Sequence, residues 1–274
     1  MVDHSDTSLG KETAYTDQYN PALLFPIPRA KARTSGQRDI FFMGVDLWTA
    51  YEISWLNSQG LPQVVIGEFW FPCDSQSIVE SKSFKLYLNS LIQTQYSDKE
   101  TIRQLMVADL SHVTGSTVDA VLYDVTEYNG FMPIVEPQGV CLDQQPVMVD
   151  IYQPNPDFLC YADDNQLQVE ECLYSHLLKT NCPVTNQPDW ASVYINYKGP
   201  AIDRDGLLQY IVSFRQHQDF HEQCVEKIFQ DITERCQPSE LSVYARYMRR
   251  GGLDINPYRS SVNTVPPALR QVRQ

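Results

Sequence analysis

The sequence predicts an α+β protein built from two tandem modules, each of the form strand–helix–helix–strand. Two observations carry this. Apolar periodicity runs strand, helix, helix, strand in the first half of the chain and then again in the second half. The alternating stretches are rich in β-branched and aromatic residues, whereas the intervening apolar stripes recur at helical spacing. Identity between the halves is slight, so the repeat is one of pattern.

Residues 1–38 read as an extended arm, polar at first and then carrying Pro21, Pro26 and Pro28. The first module, residues 39–139, opens with Phe41, Met43, Val45 and Leu47 alternating with Phe42, Gly44, Asp46 and Trp48. A turn from Asn57 to Pro62 leads to a second strand, Gln63 to Phe71. Phe84, Tyr87, Leu88 and Leu91 then fall at i, i+3, i+4 and i+7, one face of a helix. Asp98 is the expected N-cap of a second helix with Ile102, Leu105 and Met106, and Thr117 to Val125 returns to strand.

Residues 140–181 read as a connection with short strand-like pieces such as Pro146 to Tyr152. The second module, residues 182–274, contains a strand from Trp190 to Tyr197 and a helix bearing Leu207, Tyr210, Ile211 and Phe214. A second helix, opened by Asp219, carries Val225, Ile228 and Ile232, and Leu241 to Met248 forms the closing strand.

Composition removes several classes. Of the 274 residues 43% are hydrophobic, enough for packed cores, and no apolar run reaches the length of a membrane span. The polar, acidic start, Met1 to Lys11, lacks the apolar stretch of a secretory leader, so the expected compartment is the cytoplasm. A formal net charge of −13 argues against nucleic acid as a direct partner. Within that acidic background Arg246, Arg249 and Arg250 cluster, with Arg259 nearby, which suits a local anion site. The seven cysteines include no CxxC pair and no zinc-site spacing, so no metal is expected and the thiols are expected to be reduced.

Four segments carry possible chemistry. In Asn181-Cys182-Pro183 through Gln187-Pro188-Asp189-Trp190, a loop thiol is held between prolines with a carboxylate close by, as a nucleophile and its proton donor would be. A lone cysteine is more often a packed small hydrophobe than a nucleophile. Asp219-Phe220-His221-Glu222 stands at a helix start; it is either an ordinary N-cap and capping box with a surface histidine, or it turns Glu222 toward a ligand whose adjacent N–H donors a carboxylate complements. In Val79-Glu80-Ser81-Lys82-Ser83-Phe84-Lys85, the two lysines share a helix face, either solvated or holding a phosphate together with the backbone donors of the helix start. Arg249-Arg250-Gly251-Gly252 is a strand-end turn, or a place where glycine permits close approach and arginine grips phosphate oxygens.

Together and in this order, the segments resemble the QueF family of NADPH-dependent 7-cyano-7-deazaguanine reductases. The stretch Glu80-Ser81-Lys82-Ser83-Phe84-Lys85-Leu86-Tyr87 is similar to that family's signature. Asn181-Cys182-Pro183, Gln187-Pro188-Asp189, Phe220-His221-Glu222 and Arg249-Arg250-Gly251-Gly252-Leu253-Asp254-Ile255-Asn256-Pro257 match as well. The likeness is to the long, two-module form, with the signature in the first module and the cysteine in the second. Where the first module has its signature, the second has Asp203-Arg204-Asp205-Gly206.

The resemblance implies tunnelling-fold modules, each an antiparallel sheet backed by two helices, assembly into a homodimer, NADPH as cofactor and a deazapurine substrate in queuosine biosynthesis, a tRNA modification pathway. It implies that Cys182 adds to the nitrile carbon to give a covalent thioimide, with Asp189 and His221 handling protons. Val79, Glu80, Ser81, Phe220, His221 and Glu222 would bind substrate. Ser81, Lys82, Lys85, Arg249, Arg250 and Gly251 would bind NADPH, in the absence of a GxGxxG dinucleotide fingerprint. Three alternatives stay open on the residues alone: a GTP cyclohydrolase-like zinc enzyme using Cys182 and His221, a cysteine hydrolase, and a non-catalytic purine- or pterin-binding module.

Overall fold

A computed structural model describes residues 15–33, 41–162 and 167–274. The chain divides into two compact units. Unit 1 comprises the described residues 15–33, 46–133 and 249–254; unit 2 comprises 41–45, 134–162, 167–248 and 255–274. The chain thus passes from one unit to the other within two strands.

In unit 1, β1 (Pro26–Pro28) pairs antiparallel with β4 (Ser77–Val79). β2 (Met43–Leu56) enters the unit at Asp46, and with β3 (Pro62–Pro72) and β5 (Asp119–Asp124) it gives the strand order β5-β3-β2. The Asn57 turn forms as expected, closed by the N–H groups of Asn57 and Gly60 on the carbonyls of Leu61 and Asn57. Two helices back this sheet. α2 (Ser81–Ser90) follows the four-residue α1 (Ala30–Arg33), and its Phe84 meets Trp48 and Phe69 edge-on. The predicted stripe of Phe84, Tyr87, Leu88 and Leu91 is buried throughout. α3 (Lys99–Thr114) is capped by Asp98, whose carboxylate accepts from the Thr101 N–H, and ends at Gly115 in the left-handed conformation. A single turn, α4 (Tyr128–Phe131), follows β5.

The described part of the N-terminal arm is packed on this unit. Tyr19 donates to Asp109, as Tyr87 does, and the Phe25 carbonyl accepts from the Glu80 N–H. Residues 1–14 and 34–38 of the arm lie outside the described residues.

In unit 2, the strand order is β10-β9-β8-β7-β6: β6 (Val140–Cys141), β7 (Gln168–Asn181), β8 (Pro188–Pro200), β9 (Glu240–Tyr247) and β10 (Leu253–Ser260). β7, β8, β9 and β10 are successively antiparallel, and β6 is a short parallel addition to β7. α5 (Arg204–Ser213), capped by Asp203, and α6 (His221–Cys236) pack the predicted residues Leu207, Tyr210, Ile211, Phe214, Val225, Ile228 and Ile232 into one core with the strands. Each such aliphatic side chain contributes about 1.5–3 kcal/mol by leaving water.

Three local expectations fail. Pro146 to Tyr152 forms no strand. Gln168–Asn181, read as part of a connection, is a fourteen-residue strand. Its alternation is broken by a register shift between Ser175 and Leu178, so the buried side chains fall at Leu173 and Ser175 before it and at Leu178 and Thr180 after it. Leu241 to Met248 is not the closing strand either, because β10 follows it. Pro257 within that run weakens its strand signal.

Candidate functional site

The site residues expected from sequence fall into two groups, one in each unit. Cys182, Asp189, Phe220, His221 and Glu222 belong to unit 2, and Val79, Glu80, Ser81, Lys82, Lys85, Arg249, Arg250 and Gly251 to unit 1.

In unit 2, Cys182 follows directly on β7. Its loop is closed by the Cys182 N–H donating to the Gln187 carbonyl (2.9 Å) and the Asn186 N–H to the Cys182 carbonyl (3.0 Å), with Asn186 in the left-handed region. Asparagine tolerates that conformation better than most residues. The loop is stitched to the segment that enters α6. The Asn181 N–H donates to the His217 carbonyl, the Asp219 N–H to the Asn181 carbonyl, and the Gln218 amide to Asn186 Oδ1. Backbone pairing therefore carries the cysteine loop to the start of the helix that bears His221.

Antiparallel register sets Asp189 opposite Thr180, two residues before the cysteine. Asp189 is only 3% exposed, and its Oδ1 lies 3.4 Å from His221 Nε2. Cys182 is buried, the residue as a whole being 8% exposed. Burial pushes the thiols of Cys224, well above its ordinary range, and Cys236, to about 12, so both are poor nucleophiles.

The start of α6 is not the ordinary N-cap and capping box. Phe220 rather than Asp219 is the N-cap, and no side chain caps the helix. The Asp219 carboxylate accepts instead from the Phe220 N–H (2.9 Å), so the capping box is not built. His221, expected on the surface in the bland reading, keeps 12% of its side-chain exposure and stacks on Tyr247. Glu222 is 2% exposed in the first turn, where the helix dipole favours a carboxylate. Tyr247 was not singled out from sequence. It lies on a different strand from the cysteine loop, and no local spacing links it to His221.

In unit 1, Val79 ends β4 and is buried. Glu80 is the N-cap of α2, its two carboxylate oxygens accepting from the N–H groups of Lys82 (2.7 Å) and Ser83 (2.8 Å). This corrects one expectation: those two backbone donors serve Glu80, so a phosphate near this helix would have to be held by side chains. The carboxylate retains acceptor capacity beyond the two bonds, since each oxygen can accept more than one.

The arginine–glycine turn lies between β9 and β10. Gly251 and Gly252 have φ of +59° and +70°. The positive φ favours glycine at Gly252, and a Cβ there would stand 2.4 Å from the Glu52 carboxyl carbon and displace that side chain. A Cβ on Gly251 would stand 3.5 Å from Lys85 Nζ, which places the ammonium beside open backbone. Arg249 lies 4.2 Å over the Tyr51 ring, and the Tyr51 hydroxyl donates to Asp254 (2.9 Å). Lys85 and the turn bearing Arg249 and Arg250 thus come together in a chain that is acidic overall, a fit to a phosphate-bearing cofactor. Among the described residues, no group of three or more His, Cys, Asp or Glu is placed to hold a metal ion.

Fold and sites define the class of an α+β enzyme of two modules, and comparison with known proteins gives its family. Residues 15–122 match the model for the N-terminal part of the nitrile reductases, 7-cyano-7-deazaguanine reductase, and residues 188–265 match that of QueF-like proteins. The NADPH-dependent 7-cyano-7-deazaguanine reductase of Teredinibacter turnerae is 50% identical over 275 aligned positions, spanning 99% of this chain and 97% of its own. A solved structure, the archaeosine synthase QueF-Like in the apo form, superposes on 36% of this chain and 96% of its own at 17% identity and a TM-score of 0.31. The chain belongs to the QueF family of nitrile reductases.

Proposed function

We propose that this protein reduces the nitrile of 7-cyano-7-deazaguanine to the primary amine, 7-aminomethyl-7-deazaguanine, at the expense of two NADPH, in queuosine biosynthesis. Family membership across nearly the whole chain supports the activity, and the gathering of Cys182, Asp189 and His221 in unit 2 supports the route.

Cys182 Sγ forms a bond to the nitrile carbon as one C–N π bond opens. The nitrogen takes up a proton, and the thiol loses one, so the thioimide has the composition of thiol plus nitrile. Asp189, with His221 Nε2 beside it, carries that proton. NADPH, when bound, supplies one hydride for each two-electron reduction. Cys182 leaves as the C–S bond breaks after the first reduction, which frees the sulfur for the next turnover. In unit 2, Phe220, His221 and Glu222 at the start of α6 are assigned to the deazapurine; in unit 1, Val79, Glu80 and Ser81 are assigned to the same ligand class. Ser81, Lys82, Lys85, Arg249, Arg250 and Gly251 hold the cofactor. The protein acts in the cytoplasm as a homodimer, without nucleic acid or membrane as direct partner; no helix among the described residues is long and apolar enough to cross a membrane.

The test is the loss of reduced-nicotinamide absorbance with purified protein and limiting nitrile. Two NADPH consumed per nitrile is the expected stoichiometry; ammonia release without NADPH oxidation would identify a hydrolase instead. Within the same assay, Arg249→Ala is expected to raise KM for NADPH about tenfold, the worth of one charge-assisted phosphate contact, while kcat at saturation stays close to the unsubstituted value. Using NADH as the comparison cofactor, the same substitution should change KM far less, since the 2′-phosphate is absent.

A further inference from the structure

We infer that Tyr247 is the positioning residue for His221, setting the plane in which the imidazole meets Asp189. The ring centroids are 3.7 Å apart and the planes lie within 4° of parallel, which is full face-to-face contact. Three constraints are available to a histidine ring: a partner at each nitrogen, and a wall against a face. Nδ1 of His221 is buried and has no hydrogen-bond partner. Nε2 has Asp189 Oδ1 at 3.4 Å, longer than a well-formed hydrogen bond. The wall is therefore the tightest of the three.

Tyr247 is built to be such a wall. It is fully buried at the end of β9, and its backbone is held at both polar groups. Its N–H donates to Asn256 Oδ1 (3.0 Å), and its carbonyl accepts from Gln274 Nε2 (2.9 Å), which also donates to Asn256 Oδ1 (3.0 Å). The parallel stacking means that what Tyr247 presents to His221 is the face of its ring, while its hydroxyl lies toward Thr180 and Cys224. Burial, with the neighbouring Cys224 and Asp189, pushes that phenol well above its ordinary range and keeps the ring neutral. The groups around it are Thr180, Cys224, Asp189 and Glu222.

The kinetic arm of the test rests on the nitrile reductase reading; the spectroscopic arm does not. Tyr247→Phe keeps the wall and is expected to retain kcat within about twofold, whereas Tyr247→Leu removes it and is expected to lower kcat about ten- to hundredfold with KM for nitrile and NADPH little changed, as for a misplaced proton-transfer group. Equal loss in both variants, or full kcat in Tyr247→Leu, overturns the inference. Should Tyr247→Leu fail to fold, histidine ring-proton resonances of the unsubstituted protein decide alone, assigned by their loss in His221→Asn. Ring protons of His221 displaced upfield by the tyrosine face, and unchanged in Tyr247→Phe, are expected; resonances at the position of an exposed imidazole overturn it whatever the protein catalyses.

Discussion

Cys182→Ala is expected to lower nitrile reduction by about 10³-fold or more, the scale on which removal of a covalent nucleophile acts. Incubation with the nitrile and no NADPH should leave the variant at its own mass, while the unsubstituted protein gains the mass of one substrate molecule. The competing description is a packed cysteine, for which the surroundings of the thiol give a measure. Cys224 and Cys236 show what packing does here: both are fully buried, and burial holds their thiols protonated. Cys182 differs in retaining some exposure on a loop whose backbone is tied at both ends. Truncating one partly exposed sulfur costs little packing, so a stability loss of about 1 kcal/mol or less should accompany the loss of activity. Near-full turnover in Cys182→Ala, with only a lowered Tm, would return the thiol to the packed class. Cys182→Ser separates size from chemistry further, since it keeps the shape and removes the sulfur's nucleophilicity.

How much of this was legible in the sequence depended on whether the determining contacts were local. α2 and α3 were readable because one face of each is apolar at helical spacing, and Asp98 caps its own helix three residues on. The cysteine loop was readable for the same reason: Cys182, Pro183, Pro188 and Asp189 lie within one stretch, and the antiparallel turn folds them together. β7 was not, because its register shift moves the buried positions from odd to even residue numbers and so breaks the period on which recognition relies. β10 was hidden by Pro257. Glu80 shows a different limit. The family resemblance marked it for substrate, and the fold shows that the same carboxylate caps α2. The stacking of Tyr247 on His221 and of Arg249 on Tyr51 depends on strands distant in sequence, so no spacing rule could have found either.

The position of α6 itself supplies the second large effect, since His221 and Glu222 ride on its first turn. Glu226 stands one turn beyond Glu222, on the same buried face. Its carboxylate accepts from Arg259 Nη2 (2.8 Å) and Nε (3.2 Å), both side chains being almost wholly buried. Arg259, on β10, also donates to the Tyr258 carbonyl and lies against the Phe42 ring. A guanidinium in such a place costs several kcal/mol to desolvate, and the facing carboxylate offsets that cost. Glu226→Gln keeps the volume and removes the charge, so a loss of about 3–5 kcal/mol is expected in denaturant unfolding, enough to threaten a typical domain. Arg259→Met should also destabilise, by removing the guanidinium that faces the buried carboxylate. The double variant Glu226→Leu, Arg259→Met removes both charges, and most of the loss should be recovered, because replacing a buried pair by apolar groups is often neutral. Single losses below about 1 kcal/mol would mean that the apolar face of Val225, Ile228 and Ile232 alone fixes the helix. Recovery of stability in the double variant without recovery of kcat would carry a further meaning: the pair sets where α6 begins, and so where His221 meets Asp189, in addition to holding the helix down.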